Sequence, residues 1–144
     1  MLYTLGYTGW TLPAIVEQVY ALDAVLVDVR FMPFTRRREF IRKSFAEALA
    51  DPGGRIRYQW VKAFGNVNYK DGTKPIQILD FEAGVHEIEH LMARRRALVL
   101  MCTCASPARC HRTVVVDKLA ERFRLRVKHL TPATLTPSGQ SELF

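Results

Sequence analysis

Short apolar runs alternate with segments of helical periodicity along most of the chain. Five runs have the length of β-strands, and they lie at residues 2–6, 24–29, 57–61, 97–101 and 126–130. Between them, apolar residues recur at helical spacing, as Ile15, Val19 and Leu22 do. Runs without alternation are typical of strands buried on both faces of a parallel sheet. The alternation of strands and helices therefore predicts a three-layer α/β domain with a mostly parallel sheet of about five strands.

Polar residues mark the expected helix starts. Thr11 and Asp80 each precede an apolar stripe and predict N-caps. Residues 44–47 read Ser-Phe-Ala-Glu, which has the spacing of a capping box and predicts a short helix over residues 45–50. Ser106 followed by Pro107 predicts the N-cap and first residue of the last helix, with residues 109–112 in its first turns.

Chemically active side chains follow several of the predicted strands. All three cysteines lie within residues 102–110, directly after the fourth run and its loop. Because the carboxyl ends of parallel strands share one edge, where ligands bind, we expect these side chains to converge there. The candidate site residues are Tyr7, Thr8, Asp28, Arg30, Arg36, Cys102, Arg109, Cys110, His111 and Arg112.

The Cys-His-Arg segment at residues 110–112 predicts an anion site. The first N–H groups of a helix lack intrahelical partners and carry partial positive charge. Arg109 and Arg112 would add to this field, and Arg30 and Arg36 would extend it along the edge. The same field would lower the pKa of Cys110. We therefore expect a phosphate-bearing ligand, with Tyr7 and Thr8 beside it.

Composition favours a polyanionic partner. The 144 residues include 21 basic and 14 acidic ones, and the net charge is +7. Arginines cluster at residues 36–38 and 94–96, although the second cluster also suits a solvated helix end. Nucleic acid is the expected ligand, and a role in DNA replication or repair is the expected context.

Other features of the sequence limit the cellular compartment and the oligomeric state that we expect. The three clustered cysteines favour a reducing compartment over a disulfide framework. No stretch approaches the length of a membrane span, and the first residues lack the pattern of a signal peptide. We expect a single cytoplasmic domain, without a membrane partner, as a monomer or small homo-oligomer.

A cysteine-dependent enzyme is the alternative function. Cys110 or Cys102 would be the nucleophile, and His111 or Asp28 would manage protons. The Cys-x5-Arg spacing of cysteine phosphatases is absent. The cysteines and His111 could ligate zinc, but the usual pair-plus-pair spacing is missing, so neither a metal nor another cofactor is predicted.

A zinc-protease pattern, His-Glu-x-x-His, occurs at residues 86–90. Helical geometry places His86 and His90 opposite Ile88 and Met92, the residues of the apolar stripe. No third ligand is evident near them. We therefore expect a solvated helix face rather than a protease site.

The chain divides into an α/β domain at residues 1–130 and a flexible tail at 131–144, rich in Thr and Pro. The tail ends in Gln140, Leu143 and Phe144, and Gln-x-x-Leu-Phe resembles the peptide by which many bacterial DNA-handling proteins bind the replication sliding clamp. Clamp binding and docking on its own domain are both open for this tail. If the tail carries the function, the protein is an adaptor.

The globular part resembles the DUF488 family. The matching features are Thr-Leu-Gly-Tyr-Thr at 4–8, Leu-Val-Asp-Val-Arg at 26–30, Pro-x-x-Arg-Arg at 33–37, and Leu-Met-Cys at 100–102 leading to Cys-His-Arg at 110–112. The resemblance implies a Rossmann-like three-layer domain and no established activity. Residues 103–105, Thr-Cys-Ala, stand where the family often has an acidic residue.

Overall fold

The computed structural model describes residues 1–94, 96–104 and 106–132. Its strands and helices are β1 (Leu2–Gly6), α1 (Leu12–Ala21), β2 (Ala24–Asp28), α2 (Arg42–Ala48), β3 (Tyr58–Trp60), α3 (Phe81–Ala93), β4 (Ala97–Cys102), α4 (His111–Phe123) and β5 (Val127–Leu130). The five strands form one sheet in the order β3-β2-β4-β1-β5, and every neighbouring pair is parallel. The predicted α/β fold with a five-stranded parallel sheet is confirmed.

Two hydrophobic cores lie on opposite faces of the sheet. On one face, Ile15 of α1 and Phe45 of α2 are fully buried. On the other, Ile88 of α3 and Leu119 of α4 are fully buried. Successive residues of β2 and β4 contribute alternately to the two cores, as a strand between two helical layers must. The apolar runs thus produce the three-layer arrangement.

Two predicted helix starts are confirmed and two are wrong. The Thr11 and Asp80 side chains accept hydrogen bonds from the third residue after each, as N-caps do. Ser44 does not open a capping box, because α2 has already begun at Arg42 and the hydroxyl instead donates to the Arg38 carbonyl. Ser106 caps a 3-10 turn at Pro107–Arg109, and α4 begins only at His111.

The sheet topology opens a crevice between β2 and β4. The segment after β2 returns through α2 on one face, whereas the segment after β4 continues into α4 on the other. Because the two connections diverge, the carboxyl ends of these neighbouring strands are left uncovered between them. Asp28 ends β2 and Cys102 ends β4, so the crevice lies beside the predicted site.

Among the described residues, no helix has both the length and the apolar character that a membrane span requires.

Candidate cysteine-histidine site at the carboxyl edge

Asp28 and Arg30 form a buried ion pair at the end of β2. The Arg30 Nε and Nη2 atoms donate to the two carboxylate oxygens at 2.8 and 2.7 Å. The remaining terminal nitrogen, Nη1, donates to the Phe40 carbonyl at 2.6 Å, and Tyr58 donates its hydroxyl to Asp28 at 2.5 Å. Asp28 is 0% exposed and Arg30 is 5% exposed. Every nitrogen of the Arg30 side chain therefore has a partner within the protein.

The electrostatics of this pair match its geometry. Burial would lower the pKa of Arg30, but the hydrogen bonds and charge of Asp28 outweigh it and raise that pKa above its usual value. Burial also raises the pKa of Tyr58, and the adjacent Asp28 carboxylate raises it further. Tyr58 therefore stays a neutral hydrogen-bond donor to the Asp28–Arg30 pair.

Cys102, Cys110 and His111 meet at the end of β4 and the start of α4. One ligand-type atom from each lies within 4.8 Å of the others. The two sulfur atoms are in bonding contact, although the Cα atoms are 7.8 Å apart. Both cysteines are buried, at 1% and 2% exposure. We call this group the sulfur corner.

His111 is oriented by the backbone of β2. Its Nε2 lies 2.7 Å from the Val29 carbonyl, which can only accept, so Nε2 carries a proton. Burial lowers the pKa of His111, although the hydrogen bond to Val29 opposes the shift. A neutral imidazole with a proton on Nε2 leaves a lone pair on Nδ1, which lies 4.0 Å from the Cys110 sulfur.

Arg112 is buried beneath the sulfur corner. Its Nη1 donates to the Cys102 sulfur at 3.2 Å and to the Cys104 carbonyl at 2.8 Å. Only 1% of the residue is exposed, and its Nε has no hydrogen-bond partner among the described residues. Burial lowers the pKa of Arg112. The guanidinium thus faces sulfur instead of solvent.

A cleft of about 430 Å³ opens above these residues. Arg30, Cys102 and His111 lie in its lining, together with the exposed cations Arg109 and Lys74. The segment 66–76 and the loop after β2 form its walls. Further lining residues are Phe31, Met32, Phe34, Asn66, Tyr69 and Ile76.

The structure brings most of the predicted site residues to this edge, but not all of them to the cleft. Tyr7 is 3% exposed and stacks on Phe40, with ring centroids 4.3 Å apart. Thr8 is exposed and donates to the Thr103 carbonyl at 2.6 Å. Arg36 is exposed and lines a neighbouring groove, which shares Phe34 with the cleft.

The sequence pattern did not identify the aromatic and basic wall of the cleft. Phe34 is 79% exposed and Tyr69 is 43% exposed, although both are large and apolar. The Phe31 and Tyr69 rings stack at 5.6 Å, and the Lys62 ammonium lies 4.7 Å from the Phe31 ring centroid. The available signal was the long irregular segment 62–78, in which Tyr69 directly precedes Lys70.

Two other sequence patterns have different outcomes. His86 of the protease-like pattern is 84% exposed and lies 3.5 Å from Glu89, which confirms a solvated helix face. Among the described residues, the sulfur corner is the group arranged to hold a metal, and His86 and His90 do not belong to it. The predicted tail residues Gln140, Leu143 and Phe144 lie outside the described residues.

Fold and site together define a parallel α/β protein with a cysteine-histidine cluster at the carboxyl edge of its sheet. A family model described as a domain of unknown function, DUF488, matches residues 20–119, and the chain belongs to this family. The resemblance in the sequence is thereby confirmed. A search of curated proteins found no match, and neither did a search of solved structures.

Proposed function

We propose that the cleft binds a phosphate-bearing ligand, and that this ligand is single-stranded nucleic acid. The observation that carries the proposal is the pairing of exposed aromatic and basic side chains on one cleft. Phe34 and Tyr69 offer ring faces, while Lys74 and Arg109 offer exposed cations beside them. Stacking platforms next to phosphate-neutralising cations are the usual means of binding single strands.

Two of the arginines predicted to bind phosphate, Arg30 and Arg112, are not available for that contact. Arg30 and Arg112 are buried and already donate to protein atoms. Moving either guanidinium to a ligand would break its internal hydrogen bonds, which are costly to leave unmade in the interior. The exposed Arg109 and Lys74 carry no such cost. They are therefore the phosphate-binding residues of this proposal, with Arg36 extending the path along the neighbouring groove.

The test is the affinity of the full chain for a fluorescent single-stranded oligonucleotide at several salt concentrations. If several phosphates are neutralised, the logarithm of the binding constant falls linearly with the logarithm of salt. Lys74→Gln and Arg109→Gln should each reduce that slope by about 1. Tyr69→Ala should weaken binding by about 1–3 kcal/mol through lost stacking.

Arg126→Gln is the matched control. Arg126 is exposed and precedes β5, at the opposite edge of the sheet, so removing its charge changes the net charge without changing the cleft. It should leave the affinity nearly unchanged. Equal weakening by Arg126→Gln and Lys74→Gln would contradict a site in the cleft, and so would binding that does not depend on salt.

A cysteine-dependent enzyme is the second candidate, favoured by the hydrogen bond from Arg112 to the Cys102 sulfur. A cation beside a sulfur favours the nucleophilic thiolate. The test uses a Cys104→Ser chain, because Cys104 is exposed and would react first. After reduction and treatment with a chelator, alkylation of Cys102 or Cys110 by iodoacetamide should be faster than that of glutathione at neutral pH. Slower alkylation would contradict this candidate.

A further inference from the structure

We propose that Cys102, Cys110 and His111 are three ligands of a bound zinc ion, and that its fourth position opens to the cleft. The three ligand atoms lie within 4.8 Å of one another. Three atoms that each lie 2.0–2.3 Å from one ion are separated by about 3.3–3.8 Å at tetrahedral angles. The two sulfurs, which are in bonding contact, must move apart to reach that spacing, and the three ligand atoms together are already close enough to surround one ion.

The backbone spacing of the cysteines favours a shared ion over a direct bond. Their Cα atoms are 7.8 Å apart. Disulfides usually join Cα atoms about 4.4–6.8 Å apart, so a bond would require the strand end and the helix start to approach each other. An ion between the sulfurs lengthens the bridge and removes that requirement.

The orientation of His111 suits a ligand. Metal-ligating histidines almost always donate their second ring N–H to a carbonyl, carboxylate or water, which fixes the tautomer and the ring plane. His111 makes such a contact from Nε2 to the Val29 carbonyl at 2.7 Å. Nδ1, with its free lone pair, is then the atom that faces Cys110.

The buried charge of Arg112 supplies a second, independent argument. A buried cation requires an anionic partner, and among the described residues no carboxylate pairs with Arg112. Its terminal nitrogen instead contacts the Cys102 sulfur. A Cys102 thiolate satisfies this cation, and thiolate is the form that binds metal.

The ligand set and its surroundings select the metal and the type of site. Two thiolates and one imidazole are a donor set that zinc binds, whereas Mg²⁺ and Ca²⁺ require oxygen ligands. Sites with three protein ligands keep the fourth position for water or substrate. Cys102 and His111 both line the cleft, so that position faces the proposed ligand-binding space.

The test is the metal content of the full-length chain expressed with added zinc and purified without chelator. We expect one zinc per chain by mass spectrometry of the elements. Replacement by Co²⁺ in the reduced protein should give a thiolate-to-cobalt charge-transfer band. Cys110→Ser and His111→Ala should lose most of the zinc and change that band. Cys104→Ser is the matched control and should retain both, because Cys104 is exposed and lies outside the group.

Three results would overturn the proposal: substoichiometric zinc together with no cobalt band in the reduced wild-type chain, equal loss of metal in Cys104→Ser, or a Cys102–Cys110 disulfide in freshly purified protein. The zinc content and the cobalt band of the wild-type chain test the proposal even if a ligand variant does not fold. They are independent of oligonucleotide binding, so this proposal and the proposed function can fail separately.

Discussion

Two buried polar clusters lie side by side at the carboxyl edge of the sheet and differ in how fully their bonding groups are used. In the first, Asp28 and Arg30 satisfy each other, and Phe40 and Tyr58 complete the set. In the second, the sulfur corner, the two sulfurs contact each other and one guanidinium, and the Nδ1 lone pair of His111 faces the Cys110 sulfur at 4.0 Å.

The first cluster stabilises the fold, whereas the second still has atoms that can bind a ligand. A fully bonded ion pair has no group left for a ligand, and moving it would leave a charge buried and unpaired. The sulfur corner retains soft donor atoms beside an open cleft, with Arg112 supporting them from below. In this protein, a buried charge is therefore a weaker indication of a binding site than sulfur and nitrogen atoms whose lone pairs remain available to a ligand.

The largest expected effect tests whether the first cluster is closed. Asp28→Ala leaves the Arg30 charge buried without its carboxylate, and breaking such a pair costs about 3–5 kcal/mol. Urea unfolding monitored by circular dichroism should show the loss in the free energy of unfolding.

Glu47→Ala is the matched control for that experiment. It breaks the pair between Lys43 and Glu47, whose side chains are 79% and 68% exposed. An exposed pair at this spacing contributes about 0.3–0.5 kcal/mol, so the control should barely change stability. If the two variants lose similar amounts, the Asp28–Arg30 pair is not isolated from water and the contrast with the sulfur corner fails.

An intermediate effect is expected at the backbone beneath the sulfur corner. Gly6 ends β1, and a Cβ there would lie 1.3 Å from the Cys104 carbonyl oxygen and 2.8 Å from Arg112 Nη1. Gly6→Ala must therefore push this carbonyl away from the guanidinium. Overpacking of this kind costs about 1–3 kcal/mol or more, which urea unfolding would detect.

Gly72→Ala separates that steric effect from the general effect of an added methyl group. In the part of the chain that the structure describes, nothing lies within 4 Å of a Cβ at Gly72. Its stability should change by no more than about 0.5 kcal/mol. A Gly6→Ala chain as stable as Gly72→Ala would mean that the Cys104 carbonyl is not held where the sulfur corner requires it.

The meeting of these clusters at one edge could be predicted because it depends on local signals. Apolar runs locate the strands, alternation with helices makes the sheet parallel, and the residues just after Asp28 and Cys102 then share an edge. What the side chains do there could not be predicted from those signals. Arg30 donates to the Phe40 carbonyl and Asp28 accepts from Tyr58, and only the tertiary fold brings these residues close.

The helical periodicity of α4 indicates that Arg112 is buried. Once α4 begins at His111, its buried positions are Arg112, Val115, Val116 and Leu119, so the arginine stands in the apolar stripe itself. An arginine at such a position needs an internal partner. The prediction instead placed it in the first turns of the helix as part of an anion site, because Ser106 and Pro107 mark a helical start that is a short 3-10 turn in the structure.

The smallest expected effect comes from the exposed carboxylate of Asp23, which pairs with the buried guanidinium of Arg57 and serves as a reference for both buried clusters. Asp23 lies before β2 with its side chain 59% exposed, and the hydrogen bond from Arg57, at 2.7 Å, is the main reason that the pKa of Asp23 is lowered from 3.8. The native state then binds fewer protons than the unfolded state. Its stabilising contribution is present above that value and is lost as the pH falls through the lowered pKa. Asp23→Asn keeps the side-chain shape, and asparagine tolerates the positive φ of 48° found there.

Wild-type and Asp23→Asn chains should therefore differ in stability at about pH 5 and converge as the pH falls below 3.8 and through the lowered pKa of Asp23, since the wild-type carboxylate then becomes protonated. Thermal unfolding of both chains across this range measures the difference directly. Glu82, whose pKa is lowered by Arg122, is present in both chains and cancels. A difference that widens towards low pH would mean that Arg57 does not stabilise the charged form of Asp23. Because the Asp23 carboxylate is exposed whereas the Asp28 carboxylate is fully buried, the contribution of Asp23 should remain well below that of Asp28.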